Sequence, residues 1–254
     1  MKQFDEQSPL APREREKMAG RVASAARNNK TILLVTACAA IFLGLLSYVL
    51  RGEVMKLDQM AYWLVVENLR SDWLTPIMES FSALATPVSL IAMLLVIAAF
   101  APGKRPGWFC TVDLALAVLL NVVLKTLIQR PRPEGFRLAV ESGFSFPSGH
   151  SMAAMAFFGL IVWMVWHYEQ DRRQRFLLTV AFSAVIVMIG ISRIYLGVHY
   201  ASDVLGGFCA SIIWLVNTTV VSGVRSKVRS YSRAVSRHSA EGSISRDRTS
   251  AGIS

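Results

Sequence analysis

The segment from Thr31 to Leu50 contains no charged side chain. A helix of about 20 residues reaches ~30 Å, the thickness of a bilayer's hydrocarbon core. Five further apolar runs lie near 86–102, 108–124, 151–167, 176–194 and 203–222. In lipid, every backbone polar group must be bonded within the protein, so such runs fold as helices. The sequence therefore predicts an all-α polytopic membrane protein, a bundle of six transmembrane helices.

Polar segments flank this predicted membrane domain of residues 31–224. Residues 1–30 form a polar tail whose length argues against a cleaved secretory signal, so we interpret the first span as an uncleaved anchor. Residues 225–254 are rich in Ser and Arg and poor in large apolar residues, which predicts a disordered tail.

The basic residues fall unevenly on the two sides of the predicted bundle. Nineteen of the 27 Lys and Arg residues lie in the two tails and in the loops after the second and fourth spans. Because cytoplasmic loops collect positive charge, we predict that both termini are cytoplasmic. The net charge of +10 fits an anionic inner leaflet. The basic tail lacks the interleaved aromatic residues that stack on bases, so we expect no nucleic-acid partner.

The cysteines and acidic residues suggest neither a disulfide frame nor a metal centre. All three cysteines fall in apolar segments, where we expect free thiols: Cys38, Cys110 and Cys209. No cluster of Asp and Glu in the sequence could hold two metal ions. We therefore expect no metal and no other cofactor.

His199 and Asp203 open the sixth span at its outer end in this topology. Residues four apart share one face of a helix, so the carboxylate can hold one ring N–H of the imidazole. The lone pair of the other ring nitrogen then faces a substrate. This predicts His199 as a nucleophile oriented by Asp203. The alternative is that the pair only stabilises the start of a helix.

A second stretch, Pro147-Ser148-Gly149-His150, precedes the fourth span at the same outer face. Free amides at a helix N-terminus bind anions, and glycine lets the backbone approach a phosphate closely. Ser148 adds a hydroxyl donor, and His150 is placed to act as a general acid. The helix end disfavours the imidazolium and a bound phosphate favours it; we expect the phosphate to prevail.

Three cations at that face, Lys125, Arg132 and Arg193, are candidates to bind phosphate oxygens. For any one Arg, the alternative is that it only neutralises anionic lipids. Arg130 and Arg137 lie close by in the sequence, and we expect them to face lipid headgroups instead.

Taken in order, these stretches resemble the three-part signature of the type-2 phosphatidic acid phosphatase superfamily of lipid phosphate phosphatases. The first part is a Lys, six residues and Arg-Pro, matched by Lys125, Arg132 and Pro133. The second is matched by residues 147–150. The third is Ser-Arg, five residues, His, three residues and Asp, matched by Ser192, Arg193, His199 and Asp203. No position departs from the signature.

The resemblance implies a hydrolase that works through a phosphohistidine. His199 would attack phosphorus, Asp203 would orient it, and His150 would protonate the leaving group and later activate water. The remaining matched residues would hold the phosphate oxygens without a metal: Lys125, Arg132, Ser148, Gly149 and Arg193.

Other functions stay open at this point. A lipid phosphotransferase or a lipid A phosphatase could use the same site, and a non-enzymatic lipid-binding protein is disfavoured by the presence of both imidazoles and Asp203. Vanadium-dependent haloperoxidases have a similar anion cradle but are soluble. The substrate is open among undecaprenyl pyrophosphate, phosphatidylglycerol phosphate and phosphatidic acid, and so is the oligomeric state. We expect a bacterial inner membrane, with the site facing the periplasm or the cell exterior.

Two further features concern the surroundings of the site. Residues 54–82 hold amphipathic stretches with Trp63 and Trp73, which predict interfacial helices that form a wall or lateral gate, or a mere connector. Asp113 lies inside the third span, where a charge is costly. We expect it to be exposed at the inner interface.

Overall fold

The computed structural model describes residues 12–100, 104–135 and 137–220. Within these ranges all regular structure is helical, which confirms the predicted all-α class. The elements are α1 Pro12–Leu50, α2 Lys56–Tyr62, a π-helical turn Trp63–Asn68, α3 Thr75–Leu84, α4 Pro87–Phe100, α5 Lys104–Ile128, α6 Gly149–Tyr168, α7 Arg172–Tyr195 and α8 Ala201–Val220. The predicted basic tail of residues 225–254 lies outside the described residues.

Five described helices are long and apolar enough, by length and composition, to cross a membrane: α1, α5, α6, α7 and α8. The predicted second span differs from a simple crossing helix. At ~1.5 Å per residue, α4 reaches only ~21 Å, which is too short to cross alone. It forms a pair with α3, bent by 59° where the two helices meet. Counting this bent pair as one span gives the predicted six.

The first helix is longer than its apolar run. It begins at Pro12 rather than near Thr31, so its first half is built from the polar segment. Proline is favoured in the first turn of a helix because its missing N–H would have no partner there. Arg, Glu, Lys and Ala, which are frequent in this half, have high helix propensity.

Small residues bring α6 close to its neighbours at the centre of the bundle. Ala153, Ala154 and Ala156 are buried on α6, and Ala117 is buried on α5. Such residues let helix backbones approach closely in a membrane, where dispersion contacts hold helices together. The close packing of α5, α6 and α7 holds their ends in fixed relative positions.

The segment between α1 and α4 packs on the C-terminal end of α7. The Tyr195 hydroxyl accepts a hydrogen bond from Ser71 N at 2.9 Å and lies 2.9 Å from Thr75 Oγ1. Arg70 Nη2 donates to the Tyr195 carbonyl at 2.7 Å. These contacts tie the segment to the bundle, which a bare connector between two spans would not require.

One expectation about a buried charge was wrong. Asp113 is 3% exposed, and Trp214 Nε1 donates to its Oδ1 at 3.0 Å. The indole N–H from α8 supplies a partner, so the carboxyl group is buried between helices rather than exposed. The expectation about thiols was correct, since all three cysteines are free and buried.

Candidate active site

The three predicted stretches meet at one end of the bundle, which we call the site end. It is formed by the C-terminal ends of α5 and α7 and the N-terminal ends of α6 and α8. Ser148 N donates to the Asp203 carbonyl at 3.0 Å, and Arg132 Nη1 donates to the Val198 carbonyl at 3.0 Å. Every residue that the sequence predicted for the site lies at this end.

Ser148 caps the N-terminus of α6. It is fully buried, and its Oγ accepts hydrogen bonds from Ser151 N at 3.5 Å and from Ser151 Oγ at 3.0 Å. On the other side of the turn, Asn121 Nδ2 donates to the Pro147 carbonyl at 3.1 Å. The turn is thereby held between α5 and α8, and it places the N-terminus of α6, where an anion can be bound, at the site end.

Hydrogen bonds to both ring nitrogens define the tautomer of His199. Arg132 Nη1 lies 3.2 Å from His199 Nε2, and a guanidinium can only donate. Nε2 therefore accepts and carries no proton, so the ring proton is on Nδ1. Nδ1 lies 3.3 Å from Ser145 Oγ and 3.4 Å from Asp203 Oδ2. The lone pair of Nε2 thus faces the cations, as a nucleophile requires.

Burial keeps this imidazole neutral. Desolvation lowers the pKa of His199 to about 4, and the hydrogen bond and charge of Asp203 oppose this only in part. The guanidinium groups of Arg132 and Arg193 add to the lowering. Near neutral pH the free ring therefore carries an available lone pair.

Asp203 is held by more partners than the predicted pair contains. Its Oδ2 accepts from Ser145 Oγ at 2.5 Å and from Tyr200 N at 2.8 Å, both shorter than the 3.4 Å to His199. Its Oδ1 accepts from Arg130 Nη1 at 2.6 Å. Sequence reasoning missed Ser145. Its position three residues before Ser148, in the turn that leads to α6, was the signal available.

The expectation that Arg130 faces lipid headgroups was wrong. Its side chain is 6% exposed and bonds Asp203 and the Ser202 hydroxyl, at 2.6 and 2.7 Å. It also lies over the Tyr200 ring, 4.1 Å from the centroid. A buried guanidinium needs a carboxylate partner, and α8 supplies one. Arg137, by contrast, is exposed and donates to the Pro133 carbonyl.

Arg132 is oriented chiefly by backbone carbonyls. Besides Val198, it donates to the Gly143 carbonyl from Nε at 3.1 Å and to the Ser142 carbonyl from Nη2 at 3.0 Å. A planar guanidinium held on three sides has a fixed orientation. Its Nη1 edge points at the imidazole of His199, where a phosphoryl oxygen could be bound.

Glu141, which the sequence reasoning also missed, joins two of the predicted phosphate-binding cations. Its Oε1 accepts from Arg193 Nη2, and its Oε2 lies 3.6 Å from Arg132 Nη2. Arg193 Nη1 in turn donates to the Ser82 hydroxyl of α3. Burial favours the neutral acid, yet the charges of Arg193, His150 and Arg132 and the hydrogen bond from Arg193 together outweigh it and lower the pKa of Glu141. A carboxylate therefore occupies a position between cations that could bind an anion.

His150 and Gly149 close one end of an apolar cavity. The cavity measures about 540 Å³ and lies between α4, α5 and α6. Its polar end also contains Asn121, and its walls include Leu90, Leu94, Thr111, Leu114 and Val118. From Asn121 to Thr111 it follows α5 for ~15 Å. A Cβ at Gly149 would lie 4.0 Å from Lys125 Nζ, which places that amine beside the first turn of α6.

Among the described residues, no group of three or more His, Cys, Asp or Glu side chains could hold a metal ion. The charges gathered at the site are those of the side chains themselves.

Known proteins resemble this chain in sequence and in fold. The sequence model of the PAP2 superfamily matches residues 106–227. Phosphatidylglycerophosphatase B of Bacillus subtilis is 34% identical over 167 residues, which cover 64% of this chain and 81% of the relative. Lipid A 1-phosphatase of Rhizobium johnstonii is 34% identical over 113 residues, covering 41% of this chain and 42% of the relative.

A solved structure matches a larger share of the chain. The crystal structure of the first transmembrane PAP2 type phosphatidylglycerolphosphate phosphatase, from Bacillus subtilis, matches with a TM-score of 0.67 at 30% identity. The match covers 76% of this chain and 96% of that one. The chain therefore belongs to the PAP2 superfamily and is an integral-membrane phosphatase of that family.

Proposed function

We propose that the protein hydrolyses the phosphate ester or anhydride of a membrane lipid through a phosphohistidine on His199. The Nε2 lone pair attacks phosphorus, and the bond between phosphorus and the leaving oxygen breaks as His150 gives that oxygen a proton. His150 then takes a proton from water as the water oxygen attacks the phosphohistidine. The phosphorus–nitrogen bond breaks, and inorganic phosphate leaves.

The observation that supports a lipid substrate is the apolar cavity that ends at His150 and Gly149. Its volume of about 540 Å³ lies in the range of small-molecule sites, ~300–1,000 Å³. Its long axis follows membrane-spanning helices, so a bound alkyl chain would lie at the depth of the lipid tails. Soluble phosphate esters would leave this cavity unused.

The charged groups supply the stabilisation that phosphoryl transfer needs. In the transition state negative charge spreads over the equatorial oxygens of the phosphoryl group, where fixed donors are most effective. The donors are Lys125, Arg132, Ser148, Gly149 and Arg193. Ser148 Oγ accepts both bonds from Ser151, which leaves its own proton for a phosphate oxygen.

Among lipid substrates we favour phosphatidylglycerol phosphate or a polyprenyl pyrophosphate such as undecaprenyl pyrophosphate. The relative of which this chain covers 81% is named a phosphatidylglycerophosphatase. Both lipids carry a terminal phosphate at the headgroup level, above an alkyl chain that the cavity could hold.

The test measures phosphate release by the purified protein in detergent from a panel of these lipids, phosphatidic acid and a lipid A phosphate. We expect release from at least one lipid, loss of release in His199→Ala, and no effect of a chelator. His167→Ala is the matched control, because His167 is exposed at the other end of α6. Activity that survives in His199→Ala would contradict the mechanism, and transfer to a lipid alcohol without free phosphate would contradict hydrolysis.

We further propose that the site faces the cell exterior or periplasm of a bacterial inner membrane, with both termini cytoplasmic. The excess of Lys and Arg in the tails and alternate loops supports this orientation. Cysteines introduced at the exposed residues Asp72 and Arg173 test it, since the native cysteines are buried. In intact cells a membrane-impermeant maleimide should label Asp72→Cys and not Arg173→Cys. The reverse pattern would overturn the orientation.

A further inference from the structure

The carboxylate of Asp58, a residue outside the three signature stretches, is buried against Arg130 and Ser202, which contact Asp203. Asp58 lies in the short helix α2, in the segment between α1 and α4, and its side chain is 0% exposed. Its Oδ1 accepts from Ser202 N at 2.8 Å, and its Oδ2 accepts from Ser202 Oγ at 2.8 Å. Arg130 Nη2 donates to Oδ2 at 3.1 Å. These hydrogen bonds all join the carboxylate to Ser202 and Arg130, which in turn contact Asp203.

Arg130 is shared between two buried carboxylates. One edge of its guanidinium bonds Asp203 Oδ1 at 2.6 Å and the other bonds Asp58. Ser202 closes the ring, because its Oγ accepts from Arg130 Nη1 and donates to Asp58. Because two carboxylates contact one guanidinium, Arg130 neutralises Asp203 only in part, and Asp203 keeps negative charge that can stabilise a positive His199. Without Asp58, the whole charge of Arg130 would fall on Asp203.

We propose that Asp58 is a positioning residue for the phosphatase reaction, which acts through Arg130 to fix the orientation and the charge of Asp203. It touches no reacting atom. Its role is to balance the guanidinium so that Asp203 remains a strong acceptor for His199 Nδ1 while the imidazole gains positive charge during attack on phosphorus. The inference rests on the proposed role of His199 as nucleophile.

The principal test is Asp58→Asn, which preserves the shape of the side chain and removes its charge. In metal sites, residues that orient a ligand without touching the metal contribute about 10–100-fold to activity, and we take this as the scale for a positioning residue here. We expect kcat to fall by about that factor with KM unchanged, because the cavity and the phosphate donors are untouched. Glu67→Gln is the matched control, since Glu67 is an exposed acid in the neighbouring π-helical turn, and it should keep native kinetics.

A double substitution separates positioning from a merely structural role. If Asp58 acts through Arg130, the effects of the two substitutions are not additive. Asp58→Asn combined with Arg130→Gln should then be no slower than Arg130→Gln alone. Multiplied losses, or a rise in KM in Asp58→Asn, would overturn the proposal.

Two measurements keep the outcome decisive. If Asp58→Asn does not fold, as judged by thermal unfolding in detergent, Asp58→Ser replaces it, because this change also removes the carboxylate that Arg130 Nη2 bonds at 3.1 Å. A native kcat in the folded variant, beside an inactive His199→Ala, refutes the role of Asp58 and leaves the proposed function standing. Activity in His199→Ala refutes the proposed function itself.

Discussion

Replacement of Ser145 by Ala tests how His199, the proposed nucleophile, is supported. The Ser145 hydroxyl donates to Asp203 Oδ2 at 2.5 Å and lies 3.3 Å from His199 Nδ1. It is 0% exposed, so water does not take its place without rearrangement. The substitution leaves the Tyr200 amide and the imidazole on that oxygen. The carboxylate keeps its position but loses its shortest bond on that side.

The magnitude follows from the charge of the acceptor. A hydrogen bond to a charged group contributes about 1.5–3 kcal/mol, and each 1.36 kcal/mol is tenfold in rate. If the bond is needed mainly while His199 attacks phosphorus, kcat falls by about 10- to 150-fold. KM should be unchanged, because Ser145 bonds the Asp203–His199 pair rather than any of the proposed phosphate donors.

The assay is steady-state phosphate release from the preferred lipid in detergent, with Ser211→Ala as the matched control. Ser211 is also fully buried, but its hydroxyl donates to the Met152 carbonyl at 2.9 Å. Its loss should reduce stability by about 1 kcal/mol with little effect on kcat. A native kcat in Ser145→Ala, or equal losses in both variants, would refute the reasoning.

Two further predictions concern pH and packing. Because burial lowers the pKa of His199 to about 4, and only the neutral ring attacks, activity should be lost as the pH falls through about 4. In Asp203→Asn the loss of kcat/KM on the acid side should shift to still lower pH, since the carboxylate of Asp203 raises the pKa of His199. A loss of activity near pH 6.5, the ordinary pKa of His, would contradict this assignment. A Cβ at Gly207 would lie 2.9 Å from the Ser148 carbonyl oxygen, so Gly207→Ala should lower stability by about 1–3 kcal/mol and reduce kcat. Gly44→Ala, whose Cβ meets nothing within 4 Å, should match the native protein in thermal unfolding and activity; equal losses in both variants would argue against the packing explanation.

Many residues of the candidate site could be predicted from the sequence because they occupy fixed positions in short motifs. The pairing of His199 with Asp203 was predicted from helical spacing; the two side chains do meet at 3.4 Å, but His199 lies in the turn just before α8 begins at Ala201. The cap at Ser148 follows from its place before an apolar run. The structure differs where a partner comes from far away in the chain. Arg130 was expected to face the headgroups because no residue near it in the sequence indicates that Asp58 or Asp203 is its partner.

Asp113 shows the same limit within a span. Its cost in an apolar helix is evident from the sequence, but its partner Trp214 lies on another helix. The periodicity of apolar residues indicates whether a residue faces the bundle or the lipid. It does not indicate which residue of another helix contacts it.

The sequence by itself determined the class of fold, the number of candidate spans and the side chains that we propose act on a phosphate. Hydrophobic length and local spacing decide these, and both can be counted along the chain. Only the tertiary structure decided how the charges are shared: Glu141 between two cations, and Arg130 between Asp58 and Asp203. A charge that is buried away from water must be matched by a specific partner. Which partner is within reach depends on how helices distant in sequence pack together.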